Sequence, residues 1–561
     1  MTYQGSNIKT VQVLIEQCYS FGVKHVIISP GSRNAPLIIS FDNHPAFTCY
    51  PIPDERSAAF YALGMARQLN QPVAIVCTSG TAVLNFAPAL TEAYYQNIPL
   101  IAITADRPPE LIDQEDGQTI RQKNIYNNHI GYSANLPIYN DNKSITESKN
   151  LINQALSKAV GLGVNNNKLP VHINIPFAEP LYETCTLEIK KEKTAIPASN
   201  KTLTEKQRQN FSKAWSKSKK VLLISGVSLP NNELEQNLNK LATEKNIAVI
   251  APPTANINEG NVFTTPENLF LSITENETDS FKPDLLITIG GPVVSKATKN
   301  FLRKNNPLFH FDIDTNPVKV NTYQCLTDLL NVDPIYVFNI IFKHLEKKDT
   351  VYINLWKQKN KKVITTSNKL LSNIEWSDLL VFKLFFEGIK SNINLHLANS
   401  TPIRYAELFA KHNKINYYCN RGTSGIDGCT STAAGAAIVS KKNTLLITGD
   451  ISFFYDSNAF WNSNVPNNLK IILINNSGGN IFKIIKGPRE TKQLKKYFEM
   501  HQQADAKKLC GAFGVNYLSA KNKTQFTNGL KNLTASTKCT VLEIFTPSEK
   551  SAEILIRHNS K

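Results

Sequence analysis

Short apolar runs recur along this chain, each ending in small or polar residues, and between them apolar positions return every three to four residues. The first set, HVIISP, FTCYPIP, PVAIVCT, LIAITA and VHINIP, lies between residues 25 and 176. Runs of this length bounded by turn residues predict buried strands alternating with amphipathic helices, hence a parallel α/β domain over residues 1–185. A second set, KVLLISG, IAVIAPP, DLLITIG and LFHFDID, predicts a central α/β domain over 200–345. A third, NLHLANS, INYYCNRG, TLLITGD, LKIILINN and TVLEIFT, predicts another over 375–561. Polar Lys190–Thr204 reads as a linker, and Lys/Asn-rich Glu346–Lys390 as a linker with a helix. No short tandem repeat is present. The fold class is therefore α/β, with three doubly wound parallel-sheet domains in series. A chain of 561 residues is too long for one core and suits three.

The first 26 residues carry polar side chains throughout and read as an amphipathic helix with Val11, Leu14, Ile15 and Cys18 inward, not as a signal peptide. All apolar runs are of strand length, so no membrane span is expected. Nine cysteines are scattered singly, without Cys-x-x-Cys or a histidine companion, so neither a disulfide framework nor a zinc site is indicated, and the cytoplasm is the natural compartment. The net charge of +17 raises a nucleic-acid reading. Much of the excess, however, is lysine in Asn/Lys-rich segments such as Lys357–Lys362, without aromatic interleaving. A solvated surface and anionic substrates fit better.

The most informative stretch is Thr444–Phe482. One strand ends in Gly449-Asp450, a short helical crossover follows, and a second strand ends in Asn475-Asn476-Ser477-Gly478-Gly479. A right-handed βαβ unit opens both strand ends onto one sheet edge, where α/β proteins bind ligands. Neighbouring strands lie about 4.8 Å apart. A carboxylate and an amide oxygen there can reach one hard cation, which takes oxygen ligands at about 2.1 Å and keeps room for phosphate oxygens. Either piece alone is ordinary turn chemistry; the pair is the logic of a Mg²⁺-diphosphate site.

In the first domain, Ile27–Leu37 reads as a strand, a Gly turn and a helix start, with Ser32 and Arg33 at the crest. N–H groups beside a guanidinium make an anion site, and Pro-Gly-Ser is equally a simple turn. Glu55 opens an Ala-rich helix, PDERSAAFYALGM, where a carboxylate serves either as a cap or, if it faces a pocket, in proton transfer. TSGTAVLN and TADRPP are loops at later strand ends, bringing Arg107, with Gln118 beyond. The third domain adds Asn399-Ser400-Thr401-Pro402-Ile403-Arg404 and the Gly-rich loop Asn420–Gly428, each directly after a strand. Arg404 and Arg421 at two strand ends of one sheet can converge on carboxylates. Ile426, apolar amid glycines, suits either a wedge against an aromatic ligand or ordinary core.

The succession SPGSRNAPL, DERSAAFYALGMA, TSGTAVLN, TADRPPEL, LPVHINIPFAEPL, NRGTSGIDG, GD and NNSGGNIF resembles one branch of the thiamine diphosphate enzymes. That branch is the 2-succinyl-5-enolpyruvyl-6-hydroxy-3-cyclohexene-1-carboxylate synthase family of menaquinone biosynthesis. The resemblance covers the first and third domains nearly end to end and is thinner in the second. It implies decarboxylation of 2-oxoglutarate and addition of the succinyl-semialdehyde carbanion to isochorismate, with thiamine diphosphate and Mg²⁺, or Mn²⁺, as cofactors. It assigns Glu55 to ylid formation and Ile426 to holding the cofactor bent, with Ser400, Gly449, Ser452 and Ile481 also at the cofactor. Asp450, Asn476 and the Gly478 carbonyl become metal ligands. Ser32, Arg33, Arg107, Gln118, Lys296, Arg404, Arg421 and Phe482 surround the substrates. The resemblance also implies a homodimer or dimer of dimers, because in that family the first and third domains gripping one cofactor come from different subunits. This chain has Ile451 where Gly is common across the thiamine diphosphate superfamily, Ala297 where some members of the family have Arg, and Glu115-Asp116-Gly117 where a neutral Gly-Ala-Asn run is usual. Another thiamine diphosphate-dependent 2-oxoacid decarboxylase or ligase is the alternative, and a catalytically silent scaffold the remaining one.

Overall fold

The computed structural model describes residues 1–138, 141–162, 167–191, 201–257, 260–316, 318, 320–390, 392–409 and 414–559. Among them the first third of the chain forms β1 (Thr2–Ser6), β2 (His25–Ile28), β3 (Thr48–Pro51), β4 (Val73–Cys77), β5 (Leu100–Asp106), β6 (Tyr132–Asn135), β7 (Val171–Pro176) and β8 (Thr184–Glu188). Six of these make a parallel sheet in the order β3-β2-β4-β5-β7-β6, and β1 pairs antiparallel with β8. β4, β5 and β7 are buried along their whole length, as helices on both faces of a parallel sheet require.

The middle sheet runs through β9 (Val221–Ser225), β10 (Ala248–Ile250), β11 (Leu285–Ile289), β12 (Phe309–Ile313) and β13 (Asp328–Leu330), parallel in the order β10-β9-β11-β12-β13. The third uses β14 (Ile393–Leu397), β15 (Ile415–Cys419), β16 (Asn443–Gly449), β17 (Leu469–Asn475), β18 (Asn516–Ala520) and β19 (Thr540–Phe545), parallel in the order β15-β14-β16-β17-β19-β18. The α/β class and the three parallel sheets are as the apolar runs predict.

Several local expectations need correction. Thr2–Ser6 is a strand, and the N-terminal helix is confined to Lys9–Ser20, with Val11, Leu14, Ile15 and Cys18 buried as expected. Gly5 marks the difference: a Cβ there would lie 2.6 Å from the Leu187 side chain on the paired strand. The expected linker at Lys190–Thr204 falls largely on residues 192–200, outside the described residues. Glu346–Lys390 is mostly helical, over Val351–Ser372 and Asp378–Gly388. The first of these helices packs on the middle sheet's layer through buried Trp356, whose ring meets Phe270 and Phe281 edge-on at 5.4 and 4.8 Å.

The first and third sheets are joined through their helices. Glu55–Leu69 lies against Cys429–Val439 so closely that a Cβ on Gly64 would sit 1.9 Å from the Thr432 carbonyl oxygen, and one on Gly435 2.0 Å from that of Tyr61. Only glycine permits that approach. Polar bonds seal the contact: the Tyr61 hydroxyl donates to the Ala459 carbonyl at 2.6 Å and the Asn458 amide to Asp54 at 2.6 Å.

Candidate active site

In the third sheet the strand order reverses between β14 and β16, which opens a crevice at the carboxyl ends. Ser400 follows β14, Arg421 follows β15, Asp450 follows β16 and Asn476 follows β17. Ser400 has φ +73°, a left-handed conformation costly for a residue with a Cβ, held at the start of helix Thr401–Ala406.

Asp450 is 2% exposed. Its Oδ1 accepts from its neighbour's Ile451 N–H and its Oδ2 from the Gly478 N–H, both at 2.8 Å. Burial pushes this carboxyl up to about 6, against the opposing effect of those two N–H groups. Gly478 has φ +146°, and a Cβ there would lie 2.3 Å from the Glu499 carbonyl oxygen, so the loop closes only with glycine. The Asn476 amide is 5% exposed and donates through Nδ2 to Asp378 at 2.9 Å. Its Oδ1 is buried and has no hydrogen-bond partner. A buried acceptor left unpaired costs about 1–3 kcal/mol, and a cation is the partner that suits an oxygen beside a fixed carboxylate. The Asp450 carboxylate and the unpartnered Asn476 oxygen are donors of the kind a hard cation such as Mg²⁺ takes, and the Gly478 carbonyl, which accepts from the Asn480 N–H at 2.9 Å, is the third candidate. Among the described residues no cluster of three or more His, Cys, Asp or Glu side chains could hold a metal, and this donor set needs none.

The Gly-rich loop after β15 is organised by Asn399 and Glu92. Asn399 donates through Nδ2 to the carbonyls of Asn420 and Gly425, each at 2.7 Å, and accepts from Arg421 Nη1 at 3.1 Å. Glu92, on a first-domain helix and 1% exposed, accepts from the Gly422 and Thr423 N–H groups at 2.7 and 2.6 Å. Ser452 Oγ donates to the Ile426 carbonyl at 2.9 Å, tying that half-buried wedge to the helix that Asp450 begins. A cavity of about 360 Å³ opens beside the loop that follows β17, lined by Lys296, Arg404, Glu267, Glu407 and Ile481. Burial, then the neighbouring Arg421, lowers the Arg404 guanidinium below its ordinary value, and burial pushes Glu407 up to about 7.

The first sheet gathers the other candidates. Asp54, not Glu55, caps helix Glu55–Leu69, accepting from the Arg56 and Ser57 N–H groups at 2.8 and 3.2 Å. Glu55 is released from that duty. Burial raises it above the usual carboxylate range, with its backbone N–H and the Asn85 amide opposing. Arg33 is buried, donates to the Phe177 carbonyl and pairs with exposed Glu179, both at 3.1 Å. Burial, then Arg107, lowers it. Arg107 donates to the Gly117 carbonyl at 2.9 Å, and Gln118, exposed with φ +57°, holds the Ser79 hydroxyl through its carbonyl at 2.8 Å. The Nε atoms of Arg33, Arg107 and Arg421 are buried without partners; Arg56 and Arg67 share this property, so it does not single out the first three.

Residues 8–125 match the thiamine pyrophosphate enzyme N-terminal TPP binding domain and residues 401–544 the C-terminal TPP binding domain. The chain is similar throughout to proteins named 2-succinyl-5-enolpyruvyl-6-hydroxy-3-cyclohexene-1-carboxylate synthase. That of Flavobacterium psychrophilum is 41% identical over 552 residues, 98% of each chain. That of Christiangramia forsetii is 40% identical over 574 residues, 99% of this chain and 98% of its own, and that of Porphyromonas gingivalis 35% over 561 residues, 98% and 96%. The chain belongs to the 2-succinyl-5-enolpyruvyl-6-hydroxy-3-cyclohexene-1-carboxylate synthase family.

As a member of this synthase family it is a thiamine diphosphate-dependent enzyme, and the alternative of a different thiamine-dependent decarboxylase is disfavoured. The chain brings its expected site residues together as two groups. Arg33 and Arg107 influence each other at the first sheet, Arg404 and Arg421 do so at the third, and Glu55 has Asp54 and Asn85 as its neighbours. Among the described residues no hydrogen bond or ion pair joins the two groups. Lys296 is exposed at the cavity rim, Ser32 is exposed, and Phe482 packs on Phe498 at 5.5 Å while Ile481 takes the cavity wall. Sequence reasoning missed Glu92 and Asp378, and named Asn399 as part of a strand-end loop without its role in organising the Gly-rich loop. Glu92 had a signal: a carboxylate on the apolar face of ALTEAYY. Asp378, in SDLL, looks like a helix cap.

Proposed function

We propose that this chain decarboxylates 2-oxoglutarate and joins the remaining four-carbon unit to isochorismate, forming 2-succinyl-5-enolpyruvyl-6-hydroxy-3-cyclohexene-1-carboxylate for menaquinone. The supporting observation is the cavity holding Arg404 and Lys296 beside the Asp450–Asn476 strand ends, with Arg421 adjoining. Buried guanidiniums carry a large desolvation cost unless carboxylates meet them, and both substrates are polyanions. Residues 1–185 would bind the aminopyrimidine, 375–561 the diphosphate and metal, and 200–345 would supply Lys296 from between them. Thiamine diphosphate, when bound, supplies the carbon nucleophile and electron sink for loss of CO₂. Asp450, Asn476 and the Gly478 carbonyl hold the cation that neutralises the diphosphate. Glu55 exchanges a proton with the aminopyrimidine ring, Ile426 and Ile481 supply apolar walls, and Arg33, Arg107, Gln118, Arg404 and Arg421 orient carboxylates. Among the described residues no helix is long and apolar enough to cross a membrane, and we assign the work to the cytoplasm.

Incubating the chain with both substrates, Mg²⁺ and thiamine diphosphate should release CO₂ and give a product of the expected mass. Preference for pyruvate over 2-oxoglutarate, or for chorismate over isochorismate, would overturn the assignment. Arg404→Lys or Arg421→Lys keeps the charge and loses the fork. The expected loss is roughly 1.5–3 kcal/mol per charge-assisted contact, about 10- to 150-fold in kcat/KM for 2-oxoglutarate.

We infer assembly from the family resemblance, in which the two domains that grip one cofactor come from different subunits. Glu55 and Asp450 must grip opposite ends of one cofactor, so we assign the active form to at least a C2 dimer in which each site takes its first-domain group from one subunit and its third-domain group from the other. Sedimentation at assay concentration should give a dimer or dimer of dimers; a fully active monomer contradicts it.

A further inference from the structure

We propose that Asp378 is a positioning residue for the metal site, and that its task is to fix the orientation of the Asn476 amide. This rests on the reading of Asp450 and Asn476 as metal ligands. Asp378 is the first residue of helix Asp378–Gly388 and is fully buried. The cap of that helix is its neighbour Ser377, whose hydroxyl accepts from the Leu380 N–H at 3.4 Å, so the Asp378 carboxylate is not spent on capping.

The two carboxylate oxygens of Asp378 divide their work. Oδ1 takes the hydroxyls of Thr546 at 2.5 Å and Ser551 at 3.2 Å, both just beyond β19. Oδ2 takes Asn476 Nδ2 at 2.9 Å. The Ser551 hydroxyl in turn receives the Asp378 N–H at 3.0 Å. The carboxylate is therefore clamped on one side by residues that follow β19 and turns its other oxygen to Asn476 at the end of β17, with the Asn480 amide and the Tyr405 hydroxyl also interacting with it.

An asparagine amide has two nearly isosteric ends, and only its hydrogen-bond partners decide which points where. Burial raises the Asp378 carboxyl above its ordinary range, opposed by the Thr546, Asn476, Ser551 and Asn480 side chains, and the oxygen it turns to Asn476 acts as an acceptor, which draws the NH₂ end and turns Oδ1 the other way. That is the buried oxygen with no partner in the protein. A flipped amide would aim two N–H donors at the cation and leave the site with one side-chain ligand. Partners of this kind around metal ligands are worth about 10- to 100-fold in metal affinity.

The bland reading is that Asp378 is a buried polar knot stapling one helix to the ends of β17 and β19. Both readings predict a less stable protein when the carboxylate is removed. Only the positioning reading predicts a selective change in metal requirement that depends on Asn476.

The test is a Mn²⁺ titration in the presence of saturating thiamine diphosphate, followed by the electron paramagnetic resonance of free Mn²⁺, with activity recorded separately. Asp378→Leu keeps the branched shape and removes the acceptor; its half-saturating Mn²⁺ should rise about 10- to 100-fold in folded protein. Asp378→Asn keeps an acceptor for Asn476 while the Thr546 and Ser551 hydroxyls rotate to face the new NH₂, so its half-saturation should stay within about threefold of wild type. In an Asn476→Ala background the Asp378→Leu effect should vanish. If Asp378→Leu does not fold, Asp378→Ser, smaller and still polar, carries the same expectation. Wild-type Mn²⁺ affinity in a folded Asp378→Leu or Asp378→Ser variant, or an equal loss in Asp378→Asn, would overturn the proposal. Absence of cofactor-dependent Mn²⁺ binding in the wild-type chain would instead overturn the ligand assignment on which it rests.

Discussion

Asp450→Ala is expected to abolish Mg²⁺-dependent binding of thiamine diphosphate while the fold survives. The wild-type carboxylate lies between two backbone N–H groups, with a remaining lone pair on each oxygen for a cation. Alanine removes one negatively charged ligand and leaves Asn476 Oδ1 as the site's one side-chain donor. The diphosphate would then meet the sheet edge without its bridging charge, and a hard cation cannot be recovered from an amide and a carbonyl alone. The fold should persist because the cost is that of the Ile451 and Gly478 N–H groups and the Gln502 side chain losing an acceptor, about 1–3 kcal/mol for each group left buried, offset by removal of a carboxyl that burial already disfavours. Cofactor titration by fluorescence quenching with and without Mg²⁺ reads the result, with circular dichroism as the control for folding. Unchanged cofactor affinity would remove Asp450 from the metal site.

The second large effect is expected at Glu55. Asp54 carries the cap, so Glu55→Gln leaves the helix start intact and changes only the group that can exchange a proton. Burial holds this carboxyl above its ordinary range, which favours the protonated form needed to donate to a ring nitrogen. Glutamine matches the shape and cannot transfer the proton. Cofactor affinity should stay close to wild type, while hydrogen–deuterium exchange at the cofactor's reactive carbon should slow by at least about 10², the lower range for acid–base groups. Exchange at the wild-type rate would reduce Glu55 to a residue of the helix start.

What could be read in advance follows burial. Strands covered on both faces, such as Val73–Cys77 and Leu469–Asn475, are continuous apolar runs, and the sequence declares them. The edge strands Tyr132–Asn135 and Asn516–Ala520 are half-exposed, carry mixed residues and stay silent, as does the Thr2–Ser6 and Thr184–Glu188 pair. The same contrast holds at the site. Gly449-Asp450 and Asn475-Asn476 are visible because turn chemistry and ligand chemistry coincide at strand ends. Glu92 and Asp378 act across distances of 330 and 98 residues, on Gly422 and Asn476 respectively, and no local pattern encodes such a partner. The roles of Asp54 and Glu55 were equally hidden, since two adjacent carboxylates at a helix start look alike until one is seen to take the N–H groups.

The glycine crossing between helices Glu55–Leu69 and Cys429–Val439 bears on how this chain can change over generations. Gly64 and Gly435 each press against the other helix's backbone, so no side-chain adjustment opposite can make room for a larger residue at either position. The first and third domains are thereby matched surfaces and not interchangeable modules. A chimera carrying the third domain of a relative inherits the fit only where that relative also lacks a side chain at the crossing. The middle domain stands outside this crossing and is tied to the third by side-chain bonds instead, Thr254 donating to Glu407 at 2.7 Å and Asn256 to the Tyr417 carbonyl at 2.8 Å.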